Sequence, residues 1–284
     1  MLLKKIFSGL LMGFIAFAPM SVKADETATI RFILTGDMPE FTSEDGRGGY
    51  AKLASVAKTF KKQTKKNIRS LLIHAGDAYS PSLLSGLDKG KSTVDMLNSV
   101  GVDYMVLGNH EWDFGPEITR ERVWQSNFTV LASNVIDSEG LPVDGTVRTA
   151  MEIVGPFRVG IMGLITPNVK DVSSPETDKF QPIMEKAKEL AKELKGQGAN
   201  LIVAIGHLDF VEDMEIFQSG LVDVLLSGHD HYHIFFDNGK DVWMEAGENA
   251  EKVGVLDVHM KSYVKRGKKR FSWETDMRYV DTKH

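Results

Sequence analysis

The sequence predicts an α/β fold arranged as one domain. Short apolar runs typical of strands alternate with amphipathic segments at helical spacing as far as residue 226. Beyond that point the pattern predicts strands only, over 232–236, 241–246, 253–260 and 270–280. The 284 residues are 42% hydrophobic and 26% charged, which is ordinary globular composition. No repeat or low-complexity linker interrupts 25–284, so we expect a single domain there.

The alternating part of the chain is predicted element by element. Pro116 suits the first position of a helix, Ser92 is a candidate N-cap, and Gly101 and Gly196 mark helix ends. The predicted helices cover about 50–64, 92–100, 116–126 and 182–195. The predicted strands cover 29–34, 71–74, 103–107, 129–132, 151–154, 158–165, 201–205 and 222–226. The basic segment 265–270 predicts a hairpin tip between the last two strands.

Residues 1–24 predict a secretory signal peptide. Lys4 and Lys5 precede an apolar run over 6–18, and Ala24 ends a short segment suited to cleavage. The run is shorter than the roughly 20 apolar residues that span a membrane. An uncleaved amphipathic anchor is the alternative. We therefore expect a secreted, periplasmic protein that has no membrane contact after cleavage.

Charge and cysteine content limit the candidate functions. Removal of residues 1–24 would change the formal net charge from −5 to −8, which disfavours a nucleic-acid polymer as the partner. The chain has no cysteine, which excludes disulfides and thiolate metal sites. Any metal ion must therefore be held by His, Asp, Glu, Asn or backbone oxygen.

Five predicted strands end in the same way, with a glycine followed by a side chain that can bind metal. Such strand ends can meet at one rim of a sheet. Oxygen and imidazole donors suit Zn, Mn, Fe, Co or Ni, and the set is large enough for two ions about 3.5–4 Å apart. The five ends are Gly36-Asp37, Gly76-Asp77, Gly108-Asn109-His110, Gly206-His207 and Gly228-His229-Asp230-His231.

These motifs resemble the calcineurin-like metallophosphoesterases, specifically the secreted 5′-nucleotidase branch. The matching segments are GNHEWDFG at 108–115, AGD at 75–77, GH at 206–207 and GHDH at 228–231, in the family's order. The resemblance covers nearly all of 25–284. It implies a four-layer α/β/β/α metallophosphoesterase sandwich that holds two divalent metal ions, drawn from Mn, Zn, Fe, Co or Mg.

The resemblance also implies roles for individual residues. Asp77 would bridge the two ions. One site would be completed by Asn109, His207 and His229, and the other by Asp37 and His231. His110 would lie over the phosphoryl group, and Asp113 would orient its imidazole, as carboxylates commonly do for histidine.

Two features depart from the family pattern. The first motif is usually Asp-x-His, but Pro39 occupies the histidine position here. We hypothesise that the Asp37 site is weaker or richer in oxygen, with Glu40 or water in the gap, which would favour Mn or Mg over Zn. Members of the branch usually continue into a C-terminal domain that clamps the nucleoside, whereas this sequence stops at His284. The nucleotide specificity of that branch is therefore not expected to carry over to this chain from the resemblance alone.

The expected reaction is hydrolysis of small phosphate monoesters, 5′-nucleotides among them, by metal-activated hydroxide. Alternatives on the same core are a phosphodiesterase or cyclic-nucleotide hydrolase and a thiosulfate-ester hydrolase. A catalytically weak protein that binds metal or a phosphorylated ligand is a further alternative. The intact Asn109, His110 and Asp113 set argues against that last reading, since a binding protein has no physical need for it.

Four other residues receive structural interpretations. We expect His74 to be a packed, hydrogen-bonded core residue and Trp112 to pack around its loop. His233 should belong to the strand that follows the GHDH motif. Asp230 should face solvent or lie behind the ligands.

Overall fold

The computed structural model describes residues 25–42, 46–63 and 67–283. The described strands are β1 Glu26–Thr35, β2 Ile68–His74, β3 Tyr104–Val106, β4 Thr129–Leu131, β5 Val135–Ile136, β6 Thr149–Val154, β7 Phe157–Ile165, β8 Lys179–Phe180, β9 Leu201–His207, β10 Val224–Gly228, β11 His233–Asp237, β12 Val242–Ala246, β13 Lys252–Lys265 and β14 Lys268–Asp281. The α-helices are α1 Tyr50–Lys62, α2 Ser85–Asp88, α3 Lys91–Val100, α4 Pro116–Gln125, α5 Val169–Val172, α6 Ile183–Gly196 and α7 Phe210–Ser219, and a 3₁₀ helix covers Asn109–Trp112.

Two six-stranded sheets form the centre of the fold. The first sheet has the order β14-β13-β1-β2-β3-β4, and the second has the order β11-β12-β10-β9-β7-β6. In each sheet four neighbouring strands run parallel, β1 to β4 in the first and β12, β10, β9 and β7 in the second. Parallel strands joined by helices place their carboxyl ends at one rim, which is where ligands bind in such sheets.

The two sheets pack face to face and carry helices on their outer sides. Gly163 of β7 lies directly against Val106 and Leu131 of the first sheet. Helices α1 and α3 pack together over β2, and α6 and α7 cover β7, β9 and β10. A separate buried cluster, which includes Leu190, Ile216 and Trp243, joins α6 and α7 to the second sheet. The four-layer α/β/β/α sandwich is therefore confirmed.

Some sequence-predicted elements differ from the structure. Ser92 is not an N-cap, because α3 begins at Lys91 and the carboxylate of Asp88 accepts the backbone N–H groups of Gly90 and Ser92 instead. The hairpin tip lies at Arg266-Gly267, where both residues have the positive φ of a two-residue turn. The signal-peptide prediction concerns residues 1–24, which lie outside the described residues. Among the residues described, no helix is both long and apolar enough to cross a membrane.

Helix α7 is an element that the sequence pattern missed. Its buried residues are Asp213, Ile216 and Phe217, whereas Phe210 and Val211 are exposed. Because an acid lies on the buried face and apolar residues lie on the solvent-exposed face, the sequence of this helix lacks the usual helical periodicity of apolar residues. The buried acid lies beneath the strand ends that form the candidate site.

Candidate metal centre

The predicted ligands come from the ends of five strands. Asp37 follows β1, Asp77 follows β2, Asn109 follows β3, His207 ends β9, and His229 follows β10. The imidazole of His207 reaches from the second sheet to the first, where its Nδ1 lies 2.7 Å from the carbonyl oxygen of Ala75. The two sheets thus contribute side chains to one cleft at their shared rim.

Four of the six predicted ligands have left-handed backbone conformations. Their φ angles are positive, at 51° for Asp37, 56° for Asp77, 94° for His229 and 62° for His231. Non-glycine residues rarely adopt this conformation, and it costs of the order of 1–3 kcal/mol for each residue. Such strain is typical of functional sites, where the surrounding structure fixes the side-chain directions.

Several lone-pair donors converge around His207 Nε2. Because His207 Nδ1–H donates to the Ala75 carbonyl oxygen, Nε2 is left as the unprotonated nitrogen in the neutral ring. Asn109 Oδ1 lies 3.0 Å from that nitrogen, Asp77 Oδ2 lies 3.1 Å away, and His229 Nδ1 lies 3.1 Å away. Nitrogen and oxygen lone pairs that meet at this spacing repel one another unless a proton or a metal cation lies between them. The donor set fits a borderline transition-metal ion.

The charge balance of the cleft agrees with the bound-cation reading. Burial opposes protonation of His207, but the carboxylates of Asp77 and Asp37 outweigh burial and raise the pKa of its imidazole to about 10. Burial likewise opposes ionisation of Asp77, yet His207 and His110 lower the pKa of its carboxyl group. The cleft therefore stabilises positive charge beside Asp77.

Asp37 and His231 form the more open part of the site. Asp37 is only 2% exposed and accepts the backbone N–H of His229 at 3.0 Å. His231 Nε2 lies 3.6 Å from Asp37 Oδ1, and the His231 side chain is 48% exposed. Its Nδ1 lies 3.4 Å from Glu248 Oε2. The side chain of Glu40 is exposed and has no hydrogen bond or ion pair with any described residue, so Glu248 is the carboxylate beside this part of the site.

His110 and Asp113 form a pair next to these donors. His110 Nδ1 and Asp113 Oδ2 are 2.7 Å apart, and Asp113 Oδ1 accepts a hydrogen bond from Ser173 Oγ at 2.8 Å. His110 Nε2 faces Asp77 Oδ2 at 4.0 Å. The hydrogen bond that His110 donates to Asp113 raises the pKa of His110 to about 9, although partial burial opposes protonation. The imidazole can therefore offer a proton towards the cleft.

Glu111 holds the loops of the site together. Its carboxylate accepts the backbone N–H groups of Asp77, Ala78, Tyr79 and Gly108. Because these donors come from the ends of β2 and β3, one side chain fixes the relative positions of Asp77 and Asn109. Within the GNHE segment, Glu111 thus stabilises the arrangement of the candidate ligands.

Gly108 and Gly228 permit the close approach of the strand ends. A Cβ atom on Gly108 would lie 2.2 Å from Asp77 Oδ1 and 2.7 Å from His207 Nε2. A Cβ atom on Gly228 would lie 2.6 Å from Asp37 Oδ2. Real Cβ atoms do not approach other atoms so closely, so a larger residue at either position would displace a candidate ligand. The glycine before each ligand therefore has a steric role.

The remaining sequence interpretations have mixed outcomes. Trp112 packs edge-on against Phe180 and donates to Asp178, as a packing residue should. His233 lies in β11 against Tyr279, which agrees with its assignment to the following strand. The expected hydrogen bonding of His74 is wrong. The ring is fully buried, and neither nitrogen has a partner among the described residues, so burial lowers its pKa to about 3 and keeps it neutral.

Three residues of the site were not identified from the sequence. Asp209 Oδ1 lies 2.9 Å from His229 Nε2, which leaves Nδ1 of that ring directed at His207. Ser173 holds Asp113, and Glu248 lies beside His231. The position of Asp209 two residues after His207 was a usable signal. Ser173 and Glu248 come from distant loops that no local motif marks.

The fold and the donor set together define a metal-dependent phosphoester hydrolase. The family model for calcineurin-like phosphoesterases matches residues 30–233. The chain belongs to this family, and divalent metal ions are the cofactors that the family uses. The prediction of family and enzyme class is therefore confirmed.

Similar proteins point in the same direction. The chain is 34% identical over 191 residues to a probable 5′-nucleotidase of Treponema pallidum, an alignment that covers 65% of this chain and 31% of that protein. It is 31% identical over 237 residues to the snake venom 5′-nucleotidase of Naja atra, covering 78% of this chain and 44% of that one. The structure of the Haemophilus influenzae NAD nucleotidase matches with a TM-score of 0.76 at 23% identity, covering 90% of this chain and 57% of that chain. The chain thus spans less than half the length of these two curated relatives.

Proposed function

We propose that the protein is a secreted, dinuclear-metal phosphohydrolase that cleaves small phosphate monoesters. The observation that carries this proposal is the convergence of donors from Asp77, Asn109 and His229, each within 3.1 Å of His207 Nε2. Asp37 and His231 provide donors for a second ion. Asp77 is the proposed bridge because its carboxylate contacts His207 and is close enough to Asp37 to raise, together with burial, the pKa of that carboxyl group.

The roles of the protein's own residues follow from their positions. Two bound divalent cations would supply Lewis-acid polarisation of the phosphoryl oxygens and a lowered pKa for bound water. Asp113 fixes the His110 ring so that Nε2 faces the cleft. From there His110 can stabilise negative charge on the phosphoryl group or donate a proton to the leaving oxygen. Glu111 and Asp209 keep the donors in place.

Small phosphate esters are the proposed substrate class, with 5′-nucleotides as the first candidates. Two relatives that are 34% and 31% identical to this chain over the aligned segments are named as 5′-nucleotidases. His110 and His231 are partly exposed, so the cleft is open to a small ligand. Nucleic-acid polymers are not proposed as substrates, because the chain is acidic.

Export is part of the same proposal. Residues 1–24 have the charge and apolar pattern of a signal peptide, and a related protein is a venom enzyme. We place the mature protein in the periplasm with Asp25 as its first residue. Mass spectrometry of protein recovered from the periplasm tests this directly. A mass that retains residues 1–24 would contradict cleavage.

A substrate panel tests the reaction. The protein is incubated with added Mn²⁺ or Zn²⁺ and with p-nitrophenyl phosphate, bis-p-nitrophenyl phosphate, a cyclic nucleotide, a thiosulfate ester and 5′-nucleotides. Turnover of monoesters ahead of all others is the expected result. Faster turnover of the diesters or of the thiosulfate ester would replace the proposal by that activity. Tight metal binding without turnover of any compound would indicate a binding protein.

His110→Ala tests the catalytic assignment. The substitution should lower kcat by about 10²–10⁴-fold, the usual contribution of a positioned acid or base. Metal content, measured by elemental analysis, should stay unchanged because no proposed ligand is removed. His259→Ala, at a partly exposed position of β13 away from the cleft, is the matched control and should keep normal turnover. A His110→Ala protein with normal kcat would remove His110 from the mechanism.

A further inference from the structure

A second group of metal-binding side chains lies on the opposite face of the same strand ends. Asp213, Asp230 and Glu245 each place a carboxylate oxygen within 4.8 Å of the others. We call these three residues the acidic cluster. None of them has a role in the proposed hydrolysis. The cluster brings together α7, the loop that carries the GHDH motif, and β12.

The acidic cluster faces the helices, away from the cleft between the sheets. Ser227 of β10 pairs with Glu245 of β12, and Ser227 accepts a hydrogen bond from Trp243, which belongs to the helix-side core. Because side chains alternate along a strand, Glu245 shares the face of Trp243. A Cβ atom on Gly206 would lie 3.2 Å from Asp213 Oδ1, so Asp213 lies directly beneath the end of β9.

Four of the six carboxylate oxygens of the cluster are buried without a hydrogen-bond partner among the described residues. Asp213 is 0% exposed, and within the described part of the chain neither of its carboxylate oxygens meets the geometry of a hydrogen bond, although the Ser227 hydroxyl is a donor close to it. Asp230 Oδ2 and Glu245 Oε2 likewise have no partner in that part of the chain, while Glu245 Oε1 accepts the backbone N–H of Tyr232 at 3.0 Å. Buried carboxylates without donors are strongly unfavourable unless a cation or a proton compensates their charge.

We propose that the acidic cluster is a third cation site that binds a hard divalent cation such as Ca²⁺. It is separate from the two metal positions of the candidate metal centre. Carboxylate oxygens without nitrogen or sulfur donors suit Ca²⁺, Mg²⁺ or Mn²⁺. Oxygens on opposite sides of a Ca²⁺ ion, at 2.3–2.6 Å from it, lie about 5 Å apart, so the spacing within the cluster fits one ion. Asp230, which is only half-buried, provides the opening to solvent.

The position of the site gives the ion a structural task. Asp230 lies between His229 and His231, the two candidate ligands of the GHDH motif. A cation held by Asp213, Asp230 and Glu245 would tie that loop to α7 and β12. The ion therefore fixes the strained backbone from which both histidines reach the cleft.

Calcium-dependent stability tests the proposal. The mature chain, 25–284, is stripped with chelator, loaded with Mn²⁺ at the histidine-rich centre and desalted, and Tm is then measured as Ca²⁺ is added. Tm should rise by about 5–10 °C once free Ca²⁺ exceeds its Kd about 100-fold. Elemental analysis should find about one Ca²⁺ per chain. Unchanged Tm and no bound calcium would overturn the proposal.

Variants locate the calcium. Asp213→Asn should lose the rise in Tm with Ca²⁺ while it keeps the manganese bound at the candidate metal centre. Glu245→Gln provides the same test if Asp213→Asn does not fold. Asp95→Asn, an exposed carboxylate on α3, should respond like the unmodified protein. Asp77→Asn should retain the rise in Tm with Ca²⁺, because the substitution alters only the candidate metal centre.

Two results would contradict this assignment. If Asp77→Asn loses the calcium response while Asp213→Asn retains it, calcium binds in the catalytic cleft. The second result concerns the order of stability of two proteins after chelation. Without Ca²⁺, Asp213→Asn should be more stable than the unmodified chain, because the substitution relieves repulsion between the carboxylates. With Ca²⁺, the unmodified chain should be the more stable of the two. An order that stays the same with and without Ca²⁺ would show that the carboxylates share protons instead.

Discussion

The two halves of the candidate metal centre are built differently. Asn109, His207 and His229 surround one position together with Asp77, and both Asn109 and His207 are buried. Asp37 and His231 are 3.6 Å apart at the other position, and about half of the His231 side chain is exposed. We call the first the closed half and the second the open half.

The difference between the halves has a physical consequence for metal binding. The closed half holds its donors rigidly through Ala75 and Asp209, so little entropy is lost when a cation binds. In the open half, Pro39 replaces a nitrogen donor, and His231 is fixed on one side only, by Glu248. We therefore expect two binding steps of unequal affinity, with the closed half filled first.

Asp77→Asn should have the largest effect because Asp77 is the proposed bridge between the two halves. The amide removes the charge that two cations would share and keeps the shape of the side chain. Metal affinity and kcat/KM should each fall by more than about 100-fold, the upper value for residues that only orient a ligand. Elemental analysis and p-nitrophenyl phosphate turnover measure the two effects. Retention of two tightly bound ions would show that the halves do not share Asp77.

His207→Ala and His231→Ala separate the halves. Loss of the buried His207 ring should remove the tightly held ion and lower Tm, because it also leaves a cavity and unpaired Asp77 and Ala75 oxygens. Loss of the half-exposed His231 ring should remove only the weaker ion, with little change in Tm. Isothermal titration with Mn²⁺ and thermal unfolding distinguish these outcomes.

His233→Ala is the matched control for His231→Ala, since His233 is an exposed histidine two residues further along the chain. It should bind two ions like the unmodified protein. Equal losses of affinity in His207→Ala and His231→Ala would remove the distinction between the closed and open halves.

The closed half could be predicted from the sequence better than the open half. Each of its residues follows a glycine at the end of an apolar strand, and such a pattern is local in the chain. Strand alternation and helical spacing also predicted most of the two sheets. The missed helix α7 and the acidic cluster share one cause. Asp213 is a buried acid on a helix, and sequence patterns assign acids to the surface.

The open half depends on contacts between distant segments. Glu248 approaches His231 because the loop after β12 folds back, and the backbone N–H of Asn249 donates to the Asp37 carbonyl oxygen. Positive φ at Asp37 and His231 directs these side chains, and the sequence does not show which Asp or His residues adopt that uncommon conformation. The sequence suggested Glu40 or water in place of the missing histidine, because Glu40 is close in the chain, whereas the carboxylate that the structure places beside His231 Nδ1 is Glu248.

Glu248→Gln and Glu40→Gln therefore sharpen the description of the open half. Removal of a carboxylate that orients a metal-binding histidine lowers affinity by about 10–100-fold. Because Glu248 is 46% exposed, water screens its charge, and we expect a loss near 10-fold for the weaker Mn²⁺ only. Glu40→Gln should titrate like the unmodified chain. The reverse pattern would identify Glu40 as the oxygen donor in place of the missing histidine, and it would imply that its loop closes over Asp37 when metal binds.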